Sequence, residues 1–124
     1  MNKRIILIIG LCGSGKTTLA KTIDNSVLID DPKSFDEISK YKNDDIENIV
    51  ITDAKLCIES TKKAAIKILN EIFPDRIIDI ICFENDLKKA TKNIEKRNDG
   101  RVVFNFNKYL SQIYIPEGKI IKIP

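Results

Sequence analysis

Gly10-Leu11-Cys12-Gly13-Ser14-Gly15-Lys16-Thr17 is the stretch that decides the fold. It satisfies G-x-x-x-x-G-K-[ST] at every fixed position, the pattern of a loop that wraps its backbone around phosphates. Glycines let successive N–H groups converge on an anion without a Cβ in the way. The lysine reaches the β and γ oxygens, and the threonine hydroxyl suits Mg²⁺. The residues this assigns to nucleotide contact are Gly10, Cys12, Gly13, Ser14, Gly15, Lys16, Thr17 and Thr18. Context supports the motif. The run Arg4–Ile9 before it (RIILII) reads as a strand buried on both faces, and Lys16–Ile23 after it as a short helix with its positive dipole end at the loop.

Working outward, apolar runs alternate with amphipathic stretches. Val27–Ile29 predicts a second strand, ended by Asp30-Asp31-Pro32. Ser34 is positioned to cap a helix to about Lys40, with Glu37 completing a capping box. Ile49–Ile51 predicts a third strand. Ala65, Ile68, Leu69 and Ile72 recur at helical spacing until Pro74. Ile77–Phe83 is the fourth strand, and Asn85 or Asp86 caps a helix whose apolar face is Leu87, Ala90, Thr91 and Ile94. After a turn at Asn98-Asp99-Gly100, Phe104–Ile113 favours a helix, and Ile120–Ile123 a short edge strand. The expectation is one α/β domain over residues 1–124. It is a three-layer phosphate-loop fold with a five-stranded parallel sheet in the order 2-3-1-4-5.

Composition narrows the chemistry. In 124 residues there are 21 basic and 18 acidic side chains, a net charge of +3 that does not by itself mark a nucleic-acid binder. The absence of histidine removes His-based nucleophile activation, His acid–base work and most zinc sites. Cys12, Cys57 and Cys82 are too widely spaced for a metal or redox motif, which fits a reducing, cytoplasmic compartment. No apolar run is long enough to suggest a membrane span or signal peptide. Asp53, directly after the third strand, stands where a second acidic residue would reach Mg²⁺ through water beside Thr17.

Which branch of phosphate-loop proteins this is follows from what is missing. A guanine-nucleotide switch needs D-x-x-G after strand three and an N-K-x-D base reader. Here Asp53 is followed by Ala54, Lys55 and Leu56, and Asn107-Lys108 by Tyr109 and Leu110. A transporter signature and a helical ring-ATPase subdomain are also absent. The segments IILIIGLCGSGKTTLAK, IDDPK, NIVITDAKL and CFENDLKKATKNIEKRNDGRVV resemble the kinase domain of polynucleotide kinases, within the zeta-toxin-like and polynucleotide-kinase-like group of small phosphate-loop NTPases. The chain carries no appended phosphatase domain, and Ser34–Asn48 is short for a separate acceptor lid.

That resemblance implies an ATP- and Mg²⁺-dependent phosphotransferase acting on a hydroxyl, with a polynucleotide 5′ end as one acceptor. An ATPase or ATP-binding module without an acceptor stays open, as do nucleoside monophosphate and small-metabolite kinases. It implies Asp30 as the base taking the hydroxyl proton, with Asp31 as the neighbour one residue off, and Lys33 as the contact to substrate phosphate. Beside Lys16, it implies Arg97 and Arg101, either side of Asn98–Gly100, as lid guanidiniums on the transferring phosphoryl group. The lysines around them, Lys88, Lys89, Lys92 and Lys96, read as a solvated helix face. Partner expectations are a nucleoside triphosphate, an acceptor not named by sequence and no membrane, with oligomeric state open.

Overall fold

A computed structural model describes residues 3–97 and 102–124. Its sheet has five parallel strands, β1 (Arg4–Ile9), β2 (Ser26–Asp30), β3 (Asn48–Thr52), β4 (Ile77–Phe83) and β5 (Lys119–Ile121), in the order β2-β3-β1-β4-β5. Among the described residues, five helices connect them: α1 (Lys16–Ala20), α2 (Asp36–Ser39), α3 (Glu59–Ile72), α4 (Leu87–Arg97) and α5 (Phe104–Ile113). A 3₁₀ turn, Ala54–Cys57, precedes α3. The expected order and layering are what is observed.

The apolar run of β1 is central and is buried on both faces, as is β3 beside it. Ile5 and Ile8 are fully inaccessible, and β1 pairs with β3 from Arg4↔Asn48 and with β4 from Arg4↔Ile77. Each such side chain contributes about 1.5–3 kcal/mol. The crossovers β1→β2 and β3→β4 run in opposite directions across the sheet, so right-handed connections put α1 and α3 on opposite faces. All carboxyl-terminal strand ends then lie along one edge, with β1 and β3 diverging there into different loops.

Three local expectations are corrected. The helix after the loop stops at Ala20; Thr22 and Ile23 continue it only as turns bonded to Leu19 and Ala20 carbonyls. Ser34 does not cap α2, whose N-cap residue is Phe35, with no side-chain capping bond. Instead, the Glu37 carboxylate accepts the backbone N–H groups of both Lys33 and Ser34, which holds its pKa below the ordinary glutamate value. Only the glutamate half of the capping box forms. The last strand is Lys119–Ile121, starting one residue and ending two residues before the expected Ile120–Ile123, and is an edge as predicted.

At the opposite, amino-terminal end of the sheet, Arg76 is buried without a carboxylate partner among the described residues. Its guanidinium donates to the carbonyls of Arg4, Asp44, Ile46 and Glu47, at 2.8–3.2 Å.

Candidate active site

The phosphate loop leaves β1 at Gly10. Gly13 and Gly15 both take positive φ, 88° and 100°, which other residues rarely adopt. Gly13 has a second constraint. A Cβ there would lie 2.5 Å from the Ala90 carbonyl oxygen, so only glycine lets α4 pack directly on the loop. Among the described residues, the N–H groups of Gly13, Gly15 and Lys16 donate to nothing in the chain. They are free for an anion, as expected at a helix start.

Lys16 folds back on this loop. Its ammonium donates to the carbonyls of Gly10 at 3.0 Å and Leu11 at 2.9 Å. Burial lowers its pKa, while Cys12, Cys57, Asp30 and Asp53 act in the other direction. The Ser14 hydroxyl is fully buried and has no partner among the described residues. A buried orphan hydroxyl is costly unless something outside the chain meets it.

Two asparagines absent from the sequence expectations hold the loop in shape. Asn107 of α5, fully buried, accepts from the Cys12 N–H at 2.9 Å and donates to the Cys12 carbonyl at 2.8 Å. Asn93 of α4 donates to the Gly13 carbonyl at 2.9 Å. Consecutive loop residues are thus tied to the helices on either side of residues 98–101. No motif announces such contacts, because an asparagine in a helix carries no signal of the distant backbone it meets.

The facing wall comes from the ends of β2 and β3. Asp30 pairs in register with Thr52, whose buried hydroxyl donates to the Asp30 carboxylate at 2.6 Å. Asp31 takes a positive φ of 49°, its N–H bonded to the Thr52 carbonyl at 2.7 Å. Asp53 accepts from the Lys55 N–H at 2.8 Å and sits beside the Lys55 ammonium at 3.8 Å. Burial raises the Asp53 pKa above its ordinary value, with the Lys55 N–H, its ammonium and Lys16 opposing.

These walls enclose a cleft of about 510 Å³. Cys12, Gly13, Gly15, Lys16 and Thr17 line one side; Asp30, Asp31, Asp53 and Lys55 line the other. Ala54, Arg97, Val103 and Phe106 complete the lining. Gly10, Ser14 and Thr18 belong to the loop without lining the cleft, and Lys33 lines the neighbouring cavity instead. Arg101 and the turn Asn98–Gly100 lie outside the described residues. Lys88, Lys89, Lys92 and Lys96 are exposed, as expected of a solvated face, and Asp86 rather than Asn85 caps α4 through the Lys89 N–H.

Among the described residues, no helix is long and apolar enough to cross a membrane, and no cluster of three or more His, Cys, Asp or Glu forms a metal cage. Thr17 and Asp53 are thus two oxygen donors on one cleft. That set fits a magnesium ion carrying most of its ligands from phosphate and water. The free loop N–H groups, the two positive-φ glycines and the Ser14 hydroxyl likewise fit a polyphosphate.

No protein-family model matches the chain. The uncharacterized protein R277 of Acanthamoeba polyphaga mimivirus is 34% identical over 111 residues, covering 82% of this chain and 78% of that protein. Among solved structures, a gluconokinase from Sinorhizobium meliloti 1021 has a TM-score of 0.59 at 14% identity, over 97% of this chain and 81% of its own. The crystal structure of APE1195 gives 0.57 at 15%, over 99% and 86%. At these identities the likeness to the two structures is one of fold, and the fold is that of phosphate-loop kinases.

Proposed function

The chain belongs to the family of the mimivirus protein R277, and we propose that it is an ATP- and Mg²⁺-dependent phosphotransferase acting on a hydroxyl acceptor. The observation that carries this reading is the facing of Asp30, oriented by Thr52, across one cleft from Lys16 and the phosphate loop. A phosphate loop alone supports binding. A carboxylate held opposite it supports transfer.

In this reading the loop N–H groups and Lys16 hold the β and γ phosphates, Lys16 leaving its loop carbonyls to do so. The acceptor oxygen forms a bond to the γ phosphorus, the bond from that phosphorus to the β–γ bridging oxygen breaks, and ADP leaves with the electron pair. Asp30 takes the acceptor proton, Asp31 standing beside it as the other candidate. Three carboxylates in the cleft would repel a naked triphosphate, so the nucleotide arrives with its cation. Thr17 and Asp53 would hold that magnesium, which neutralises charge on the phosphates when bound. Arg97, and Arg101 four residues on, supply guanidiniums for charge on the moving phosphoryl group.

The resemblance to polynucleotide kinases makes a 5′-hydroxyl oligonucleotide the first acceptor to try. Purified protein, magnesium and γ-labelled ATP should move label to that end or to another hydroxyl in a panel of nucleosides and metabolites. Release of inorganic phosphate with no labelled acceptor would replace the kinase by an ATPase. Loss of triphosphate binding altogether would remove both.

A further inference from the structure

The bonds from Asn107 and Asn93 do more than hold the phosphate loop, because they fix which way its peptide groups face. In a trans peptide the carbonyl of one residue and the N–H of the next point in opposite directions, and no cis peptide occurs among the described residues. This sets three consecutive planes of the loop. The Leu11 carbonyl accepts from the Lys16 ammonium and the Ser14 N–H, so the Cys12 N–H faces the other way and meets the Asn107 side-chain oxygen. The Cys12 carbonyl turns to the same asparagine, whose amide nitrogen donates to it, so the Gly13 N–H points away from Asn107. The Gly13 carbonyl is held by Asn93, which leaves the Ser14 N–H to turn back onto Leu11. Of these three N–H groups, the middle one alone has no acceptor among the described residues, and Gly13 lines the cleft.

We propose that Asn107, supported by Asn93, is a positioning residue of the phosphate site: it presets the Cys12–Gly13 peptide so that the Gly13 N–H is aimed at the nucleotide's phosphates before they arrive. The inference rests on the phosphotransferase reading and adds what readies the loop for it. Cys12 presents one donor and one acceptor to the same side, as a residue does toward a neighbouring strand. A planar carboxamide offers an acceptor and donors together, so one side chain meets both groups. Asn107 is fully buried, so water does not compete for these bonds. Glycine at position 13 makes the setting necessary. Its φ of 88° is one of many values open to a residue without a Cβ, so the peptide before it has to be held from outside the loop. A reversed plane would turn the Cys12 carbonyl, with its partial negative charge, toward the phosphates in place of a donor. Fixing the plane in advance removes that reorganisation from the cost of binding.

The test is amide NMR and calorimetry on the full chain, with magnesium and a non-hydrolysable ATP analogue. In the wild type the Gly13 amide proton should move downfield when the analogue is added, as expected of an N–H donating to an anion. Asn107→Leu keeps the size of the side chain and removes both bonds. In it the Gly13 shift should be lost while the Gly15 amide keeps its own, and analogue affinity should fall about 10–100-fold, the scale of one hydrogen bond to a charged group. Asn93→Ala, on a half-buried position of α4, should shrink the Gly13 shift in the same way and serves if the first variant does not fold. Arg76→Met separates positioning from stability. It removes four hydrogen bonds at the far end of the sheet, so it should unfold at lower denaturant yet keep the wild-type Gly13 shift and affinity. A wild-type Gly13 amide that does not move on binding, a full shift in the asparagine variants, or an equal affinity loss in Arg76→Met would each overturn the proposal and leave nucleotide binding standing. Wild-type protein that fails to bind the analogue would overturn the phosphotransferase reading, and this proposal with it.

Discussion

The two neighbouring cavities are close in volume, about 510 and 460 Å³, and opposite in construction. The phosphate-loop cleft is built from backbone amides, three carboxylates and three cations. Its shape depends on hydrogen bonds, such as those from Asn107 and Thr52. The adjoining cavity is built from side chains that belong to the core and simply stop short of filling it. Polar sites demand fixed directions, so their residue types are constrained one by one. Apolar sites demand only volume, and many sequences supply that.

The most severe way to test this contrast is at the carboxylate. Asp30→Asn keeps the size and the Thr52 contact but removes the proposed base, so transfer should fall about 10²–10⁴-fold in single-turnover assays with ATP affinity little changed. A mutant with wild-type transfer would move the role to Asp31 or abolish it. Lys16→Met comes next. It removes a charge-assisted contact of about 1.5–3 kcal/mol, so triphosphate affinity should drop about 10–100-fold by calorimetry.

Asn107→Ala sharpens the same distinction from outside the cleft. It strands the Cys12 N–H and carbonyl, at a cost of about 1–3 kcal/mol in denaturant unfolding. It should also speed labelling of Cys12 by a thiol reagent; Cys57 and Cys82 are buried and serve as slow internal references. Unchanged Cys12 labelling would mean that the loop keeps its shape without the asparagine. The smallest effect concerns pH. Burial raises the folded-state pKa of Asp53, so its contribution to stability is present below the ordinary aspartate value and is lost as pH rises through the raised one. Asp53→Asn should therefore slightly stabilise the unliganded protein at neutral pH. Magnesium dependence has the opposite sign. It needs the carboxylate, so activity should fall on acidification at a higher pH than for an ordinary aspartate. In the variant that acid limb should vanish, which a pH series at fixed magnesium would reveal.

The same contrast explains what could be read from sequence. The strand, loop and α1 are legible together because a glycine pattern, a β-branched run and a helix start must coincide for the backbone to turn there. Arg4–Ile9, Ile77–Phe83 and Phe104–Ile113 appear with the boundaries expected of them. Asp30 and Asp53 are legible as acidic residues at strand ends. Asn93 and Asn107 are not, since their partners lie 80 and 95 residues away and are backbone atoms. Nor is the apolar cavity, because Leu7, Ile51 and Leu69 each read as core. Ser34 misleads for a local reason: its N–H is met by Glu37 from within α2, and the helix begins later.

Arg76 carries a consequence for the order of events in folding. Its four carbonyl acceptors come from β1 and from the segment leading into β3, up to 72 residues away. Until both are in place the guanidinium is better off in water, so this contact is expected to form after the transition state, with a φ-value near zero for Arg76→Met. Removing it should act chiefly on the rate of escape from the native state. The end of the sheet farthest from the chemistry would then act as a latch: Arg76→Met should unfold faster in stopped-flow denaturant jumps and refold at nearly the wild-type rate.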